Sequence, residues 1–141
     1  MSGNHYYDED ADPMRVLDPF TRGYVAGLLF GESIPISEDE DEPDTKSPFD
    51  LWLTWEDFDE PSQASILRDC AAFRAANAAD ISAYGEADAG NDYYFTRQGH
   101  GAGFWEEDHG TPEICKRLDY FAKSAGEIWL CLSPDGKLVI S

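Results

Sequence analysis

From Glu60 to Ala83 the sequence reads as one uninterrupted helical repeat. Pro61 fits a first helical turn and acids crowd that turn, where the helix dipole favours them. Ile66, Cys70, Phe73 and Ile81 follow at offsets of four, seven and fifteen from the first, with Asn77 completing the stripe at eleven and Ala76 beside it. That spacing places them on one side of a 3.6-residue helix, and Gly85 closes the segment. The rest of the chain has to supply the surface this stripe packs against.

Four other segments carry local signals. "TPEICKRLDYFAKSAG" predicts a second helix: Thr111 caps, Pro112 takes the first position, Ile114, Leu118, Phe121 and Ala125 form a face, and Gly126 stops it. "IWLCLSPDGKLVI" sets two apolar runs around Ser-Pro-Asp-Gly, a hairpin signal. "DPFTRGYVAGLLF" offers a helix start at Asp18-Pro19, with Phe20, Tyr24, Val25, Leu28 and Leu29 as its apolar side. Its glycines weaken that helix, and a strand over Gly23–Phe30 is the alternative. "DYYFT", residues 92–96, is short and aromatic and reads as a strand, with Gly103-Phe104-Trp105 as its antiparallel return. The economical assembly is α+β: a small antiparallel sheet of three to four strands with two or three helices packed on one face.

The charge is lopsided. Of 141 residues, 29 are acidic and 10 basic, a net of −19. Residues 1–61 hold 17 Asp and Glu against three Lys and Arg, whereas 62–141 hold 12 against seven. Such a field disfavours direct contact with nucleic acid and with anionic membrane, and attracts basic protein surfaces. Residues 1–13 read as a flexible acidic tail ahead of a single domain over 14–141, with an exposed acidic loop at about 31–48. The run "DEDADP" is no calcium loop, because Pro13 sits where glycine is needed and Pro19 where the bidentate glutamate belongs. Cys70, Cys115 and Cys131 are isolated, sit in apolar stretches and show no CxxC spacing. Buried free thiols in a reducing compartment are expected, with no zinc site and no disulfide framework. The polar start lacks a secretory signal and no apolar run is long enough for a bilayer, so a soluble, cytoplasmic protein is expected.

"FTRQGHGAGFWEED", residues 95–108, holds Gly99, Gly101 and Gly103 within five positions. One reading is architectural: glycines supply positive φ and close backbone approach at a tight hairpin corner. The other is chemical, with Arg97, His100 and Trp105 as a ligand or acid–base corner, since histidine titrates near neutrality. The segment lacks the Lys-Ser/Thr of a phosphate loop, the spacing of a dinucleotide fingerprint and the serine of a nucleophile elbow. His100, Glu106, Asp108 and His109 have no metal-ligand spacing. No cofactor and no metal are expected.

"YYFTRQGHGAGFWEED" resembles the hallmark of a family of small uncharacterised proteins encoded by bacteriophages and prophages, whose members carry a TRNGHGAGFWD-like segment followed by an amphipathic helix and a terminal hairpin. "YVAGLLFGES", "SILRDCAAFRAANAADI" and "AKSAGEIWLCLSPDGKLVI" extend the likeness over about Tyr24 to Ile140. Gln98 stands where the family has Asn, Glu106 where it has Asp, and the acidic segment 32–50 is longer. The resemblance implies a phage context and expression in a bacterial cytoplasm. It supplies no activity, only the motif positions Arg97, Gly99, His100, Gly101, Gly103, Phe104 and Trp105.

The functional expectation is a phage-encoded accessory protein that binds, and inhibits, a host or bacterial-defence protein by presenting carboxylates where a nucleic-acid-binding surface expects phosphates, in the manner of an anti-restriction or anti-CRISPR protein. The candidate contact residues are Glu38, Asp39, Glu40, Asp41, Glu42, Asp44, Glu56, Asp57, Asp59 and Glu60. The bland alternative is that these acids only keep the chain hydrated. The rival functions are a small enzyme or ligand binder using the Arg97–His100–Trp105 corner, and a virion assembly accessory.

Overall fold

Asp18 begins the first helix as its sequence suggests. Its carboxylate accepts from the Thr21 backbone N–H at 2.9 Å and from the Thr21 hydroxyl at 2.8 Å, and a cap of this kind contributes about 1 kcal/mol. Burial alone would raise the Asp18 pKa, but the Thr21 hydrogen bonds and Arg74 outweigh it and hold the group below the ordinary carboxylate value. In the computed structural model, which describes residues 13–35, 44–107 and 109–141, four helices follow one another. They are α1 (Pro19–Gly31), α2 (Glu60–Tyr84), α3 (Glu86–Arg97) and α4 (Pro112–Ala125). Two antiparallel strand pairs complete the fold: β1 (Ile34–Pro35) with β2 (Thr45–Lys46), and β3 (Leu130–Leu132) with β4 (Leu138–Ile140).

The α+β class holds, but the expected arrangement does not. Residues 92–96 are not a strand; they are the last turns of α3, and Phe104–Glu106 is a 3-10 turn instead of its return. Without those strands the described residues hold no three- or four-stranded sheet for helices to cover, only two two-stranded antiparallel pairs. The reason lies in α1. Gly23, Gly27 and Gly31 recur every fourth residue and strip one side of that helix bare, and α3 lies against it. A Cβ on Gly23 would stand 2.1 Å from the Ala87 carbonyl oxygen, and one on Gly90 would stand 1.9 Å from that of Phe20. The glycines that weaken α1 as an isolated helix are what let a second helix approach it.

The core is aromatic where α1, α2 and α3 meet. Phe73 of α2 stacks on Tyr93 of α3 at 4.1 Å between ring centroids, and Phe20, Tyr24 and Phe104 surround the pair. Such contacts each add about 0.5–1.5 kcal/mol beyond burial. The stripe expected on α2 is buried at Ile66, Cys70, Phe73, Asn77 and Ile81, whereas Ala76 beside it is exposed. Asn77 departs from helical geometry (φ −131°, ψ 25°) while its side-chain amide donates to the Phe73 carbonyl at 3.0 Å, a local kink.

On α4 the face is rotated from expectation. Thr111 caps Ile114 at 3.3 Å and Gly126 ends the helix at φ +78°, but Cys115, Leu118 and Ala122 are buried while Phe121 and Ala125 are exposed. Cys131 is exposed too, unlike Cys70 and Cys115, because β3 lies on the outside of the terminal hairpin. β4 joins the core side: Asp59 N donates to the Leu138 carbonyl at 3.0 Å, and Ile140 N donates to Ser62 Oγ at 2.8 Å. The acidic loop expected at 31–48 is not exposed throughout, since Ile34 and Pro48 are fully buried. The expected tail, apart from Pro13, and residues 36–43 of that loop lie outside the described residues.

Candidate functional site

Two sets of sequence-predicted residues and one surface that the sequence did not flag bear on function.

The first set is the carboxylates. Glu38 to Glu42 lie outside the described residues. Asp57 accepts the Thr54 backbone N–H at 2.7 Å and so closes the 3-10 turn Trp55–Asp57, while Asp59 accepts the Ser62 N–H at 2.9 Å and caps α2. Between them Phe58 is buried in the core. Glu56 is exposed on that turn, Glu60 is exposed at the first position of α2, and Asp44 is exposed beside β2. Thus four of the predicted acids sit together at the start of α2, two of them fixed by backbone donors. The ion pairs of the described residues run elsewhere: Arg74 to Asp18 and Glu86, Arg97 and Arg68 to Asp69, Arg117 to Asp80, and Lys123 to Asp119. Among the described residues no cation pairs with Asp44, Glu56, Asp57, Asp59 or Glu60.

The second set is the glycine segment, and Arg97, Gly99, Gly103 and Phe104 each have an identifiable structural task. Arg97 is 6% exposed. Its guanidinium donates to the Gly126 carbonyl at 2.8 Å, the Ala125 carbonyl at 3.2 Å, the Tyr24 hydroxyl at 3.1 Å and Asp69 at 3.1 Å, and lies over the Tyr93 ring. It therefore tethers the last carbonyls of α4 to α1 and α2. Burial would lower its pKa, but Tyr24, Tyr93 and Asp69 more than compensate and the group stays charged. Gly99 (φ +69°) takes the left-handed position after α3. Its N–H bonds to the Thr96 carbonyl at 3.1 Å, and His100 N bonds to that of Phe95 at 3.1 Å, the double closure of a Schellman cap. Gly103 is required by Thr96: a Cβ would lie 2.5 Å from the Thr96 hydroxyl oxygen, which accepts the Phe104 N–H at 3.0 Å. Phe104 is core, against Phe73 and Tyr84. Gly101 has open space around it.

His100 turns toward α1 and α3. Its Nε2 lies 3.2 Å from the Tyr94 hydroxyl oxygen and 3.4 Å from Glu32 Oε2. Tyr94, whose pKa burial and Glu32 push well above the ordinary tyrosine value, donates its one proton to that carboxylate. Its oxygen then accepts from His100, which fixes the proton on Nε2. Gln98 also donates to Glu32 (3.2 Å) and spans the Ile128 backbone, giving to its carbonyl at 3.0 Å and accepting from its N–H at 2.8 Å. The structure brings His100 together with Glu32, Tyr94 and Gln98, a clasp joining the ends of α1 and α3 to the approach to β3. It does not bring Arg97, His100 and Trp105 to one point, since no hydrogen bond or ion pair links them and the Trp105 ring is 54% exposed. The segment is a helix terminus and not a hairpin corner. Among the described residues no cluster of His, Cys, Asp and Glu has the makings of a metal site, and no helix is long and apolar enough to cross a membrane.

The surface missed by sequence reasoning is apolar. Met14, Ala26, Gly27, Leu29, Phe30, Phe49, Asn91 and Phe95 line a groove of about 510 Å³ between α1, α3 and the turn after β2. Phe30 and Phe49 meet edge to face at 6.0 Å and are 67% and 60% exposed. One turn past Phe49, Trp52 is 90% exposed in a left-handed conformation (φ 61°). The signal available in the sequence was "KSPFDLWLTW", aromatic residues inside an acidic region where a purely solvated loop needs none.

No family model, no curated protein and no solved structure matches this chain.

Proposed function

We propose that this chain is a small acidic accessory protein of a bacteriophage, acting in the bacterial cytoplasm by binding and inhibiting a host or bacterial-defence protein through that protein's basic surface. The phage assignment rests on the resemblance of residues 93–108 to the phage and prophage family. The mode of action rests on one observation: the carboxylates Asp44, Glu56, Asp57, Asp59 and Glu60 find no cation among the described residues, while the ion pairs of the chain are made by other acids. Asp57 and Asp59 are held in place by backbone N–H groups, so part of this negative surface is ordered before a partner arrives. Rigid, uncompensated carboxylates are a substitute for phosphates on a surface built to grip nucleic acid. The ligand-corner alternative draws less support, because Arg97 is consumed by structural contacts and Glu32 already takes two donors, Tyr94 and Gln98.

The test is capture of partners from infected or lysogenic cells at about 0.05 M and about 0.3 M salt, where the screening length shortens about twofold. It uses the full chain and a variant carrying Gln or Asn at 38–42 and 44 plus Glu56→Gln and Glu60→Gln. Asp57 and Asp59 are kept because they hold helix ends. The expected result is a partner retained at low salt, released at the higher salt and not captured by the neutralised variant. Equal capture by both chains at both salts would show that the acids only hydrate the surface.

A further inference from the structure

The groove beside Phe30 and Phe49 is ordered at both of its walls. Phe49 N donates to the Leu29 carbonyl at 2.9 Å, which fastens the turn 47–53 to the end of α1. Within that turn Leu53 N bonds to the Pro48 carbonyl at 3.0 Å and Trp52 N to that of Phe49 at 3.1 Å. This is the same double closure that follows α3, where the left-handed position is filled by Gly99. Here a tryptophan fills it. A side chain with a Cβ is disfavoured in that conformation, and an indole left 90% exposed gains nothing from the core in return. Strain without folding benefit, beside an open apolar groove, points to a use outside the monomer.

Three kinds of occupant are disfavoured by what lines the groove and what surrounds it. A small molecule needs a few convergent polar groups to orient it; the one polar side chain in the lining, Asn91, already donates to the Gly23 carbonyl at 3.2 Å. A second copy would bring another net charge of −19 against the first. An anionic membrane surface is repelled for the same reason. What remains complementary is an apolar side chain carried by a basic polypeptide. Segment 44–60, which contains Phe49 and Trp52, holds six acids, Asp44, Asp50, Glu56, Asp57, Asp59 and Glu60, against Lys46.

We propose that this groove and Trp52 receive the apolar face of a cationic amphipathic helix of the partner protein, with the neighbouring carboxylates taking its Lys and Arg side chains. The inference rests on the function proposed above and names the chemistry of the contact. Aromatic anchors in a pocket rimmed by charge are the usual centre of such an interface, and helix-in-groove docking presents apolar residues at i, i+3, i+4 and i+7.

The probe is a synthetic Leu/Lys peptide of about 18 residues with leucines at that helical spacing, set against a scrambled peptide of the same composition and charge. Binding of the full chain to each is measured by calorimetry, and again for Trp52→Gly and for Phe30→Ser with Phe49→Ser. The patterned peptide should bind at least about tenfold tighter than the scrambled one, and both variants should erase that difference. Trp52→Gly should also keep or raise Tm, since glycine accepts the left-handed backbone; a drop in Tm would make Trp52 structural and overturn its role as an anchor. Equal, salt-sensitive binding of both peptides by every chain would overturn the groove while leaving the carboxylate reading intact. Failure of either peptide to bind at any salt would remove both. A dimer in sedimentation that Trp52→Gly dissociates would assign the groove to a second copy. Patterned binding that emerges only after deletion of residues 1–12 would assign it to the chain's own N-terminal segment. Either result overturns the proposal.

Discussion

Gly90 of α3 lies so near Phe20 of α1 that a methyl group on its Cα would stand 1.9 Å from the Phe20 carbonyl oxygen. Alanine is the better helix former by about 1 kcal/mol, so on propensity alone Gly90→Ala would stabilise α3. The contact reverses the sign. A Cβ against backbone cannot be relieved by a rotamer change, and the helices have to separate. Gly90→Ala, and likewise Gly23→Ala, should therefore cost on the order of 2–4 kcal/mol in urea unfolding. Gly101→Ala, whose Cβ would meet nothing within 4 Å, is the control and should stay within about 0.5 kcal/mol.

Arg97 provides the second prediction. It spends its donors on Gly126, Ala125, Tyr24 and Asp69, so Arg97→Ala strips the carbonyls at the end of α4 and leaves Asp69 without its buried partner. A loss of about 3–5 kcal/mol is expected. Arg97→Lys should recover little of it, because one ammonium cannot reproduce a planar fork reaching four acceptors. Thermal melts decide the matter, with Trp105→Ala as the exposed comparison, which should shift Tm little. A normal melt for Arg97→Ala would return this residue to the list of groups free for chemistry.

These two cases show what was legible in the sequence and what was not. The caps at Asp18 and Thr111, the α2 stripe and the terminal hairpin were visible because each is signalled by adjacent residues obeying local rules. Helix α3 was hidden. Its buried side is Ala89, Gly90, Tyr93, Tyr94, Thr96 and Arg97, so counting apolar residues finds only the aromatic cluster, which by propensity looks like strand. The partner signal lies in α1, as Gly23, Gly27 and Gly31, where helix-weakening residues and a docking surface look the same in sequence. The same holds for the site. Carboxylate runs are visible in any sequence, whereas the groove is assembled from Met14, Phe30, Phe49 and Phe95, which the fold alone brings together.

Gln98 yields a prediction on the clasp. Its side-chain amide pairs with both backbone groups of Ile128, as a neighbouring strand would. Gln98→Ala leaves that buried N–H and carbonyl without their partner, at about 1–3 kcal/mol. Gln98→Asn, one methylene shorter, should restore only part of the loss. Amide hydrogen exchange reads this directly: the Ile128 N–H should exchange much faster in Gln98→Ala than in the parent chain, while amides within α2 change only with global stability. Unchanged protection at Ile128 would mean that the pairing contributes nothing to holding the hairpin.

Asp92 sets a dependence on pH opposite in sign to that of Asp18, Asp80 and Asp135. Burial raises its pKa above the ordinary value, with Glu106 and Asp88 adding repulsion and the Tyr84 hydroxyl and His109 opposing the shift. A carboxyl group that binds its proton more tightly when folded than when unfolded favours the folded state at low pH, and this contribution fades as pH rises from about 3.9 through the folded value. At neutral pH the folded protein therefore carries a charged carboxylate that it holds at a cost. Asp92→Asn keeps an acceptor for Tyr84 and removes the charge, so it should melt at a higher temperature than the parent near pH 7. The advantage should shrink as pH falls through the folded value toward about 3.9, where the parent takes up its proton. Asp18 and Asp80 titrate in the other direction. Their pKa values are lowered, so their contribution is present above about 3.9 and lost as acid protonates them. The difference between the two chains, followed by thermal melts across pH 4 to 7, cancels those shared terms and isolates Asp92. A difference that stays constant across that range would mean that Asp92 ionises in the folded protein as it does in the unfolded one.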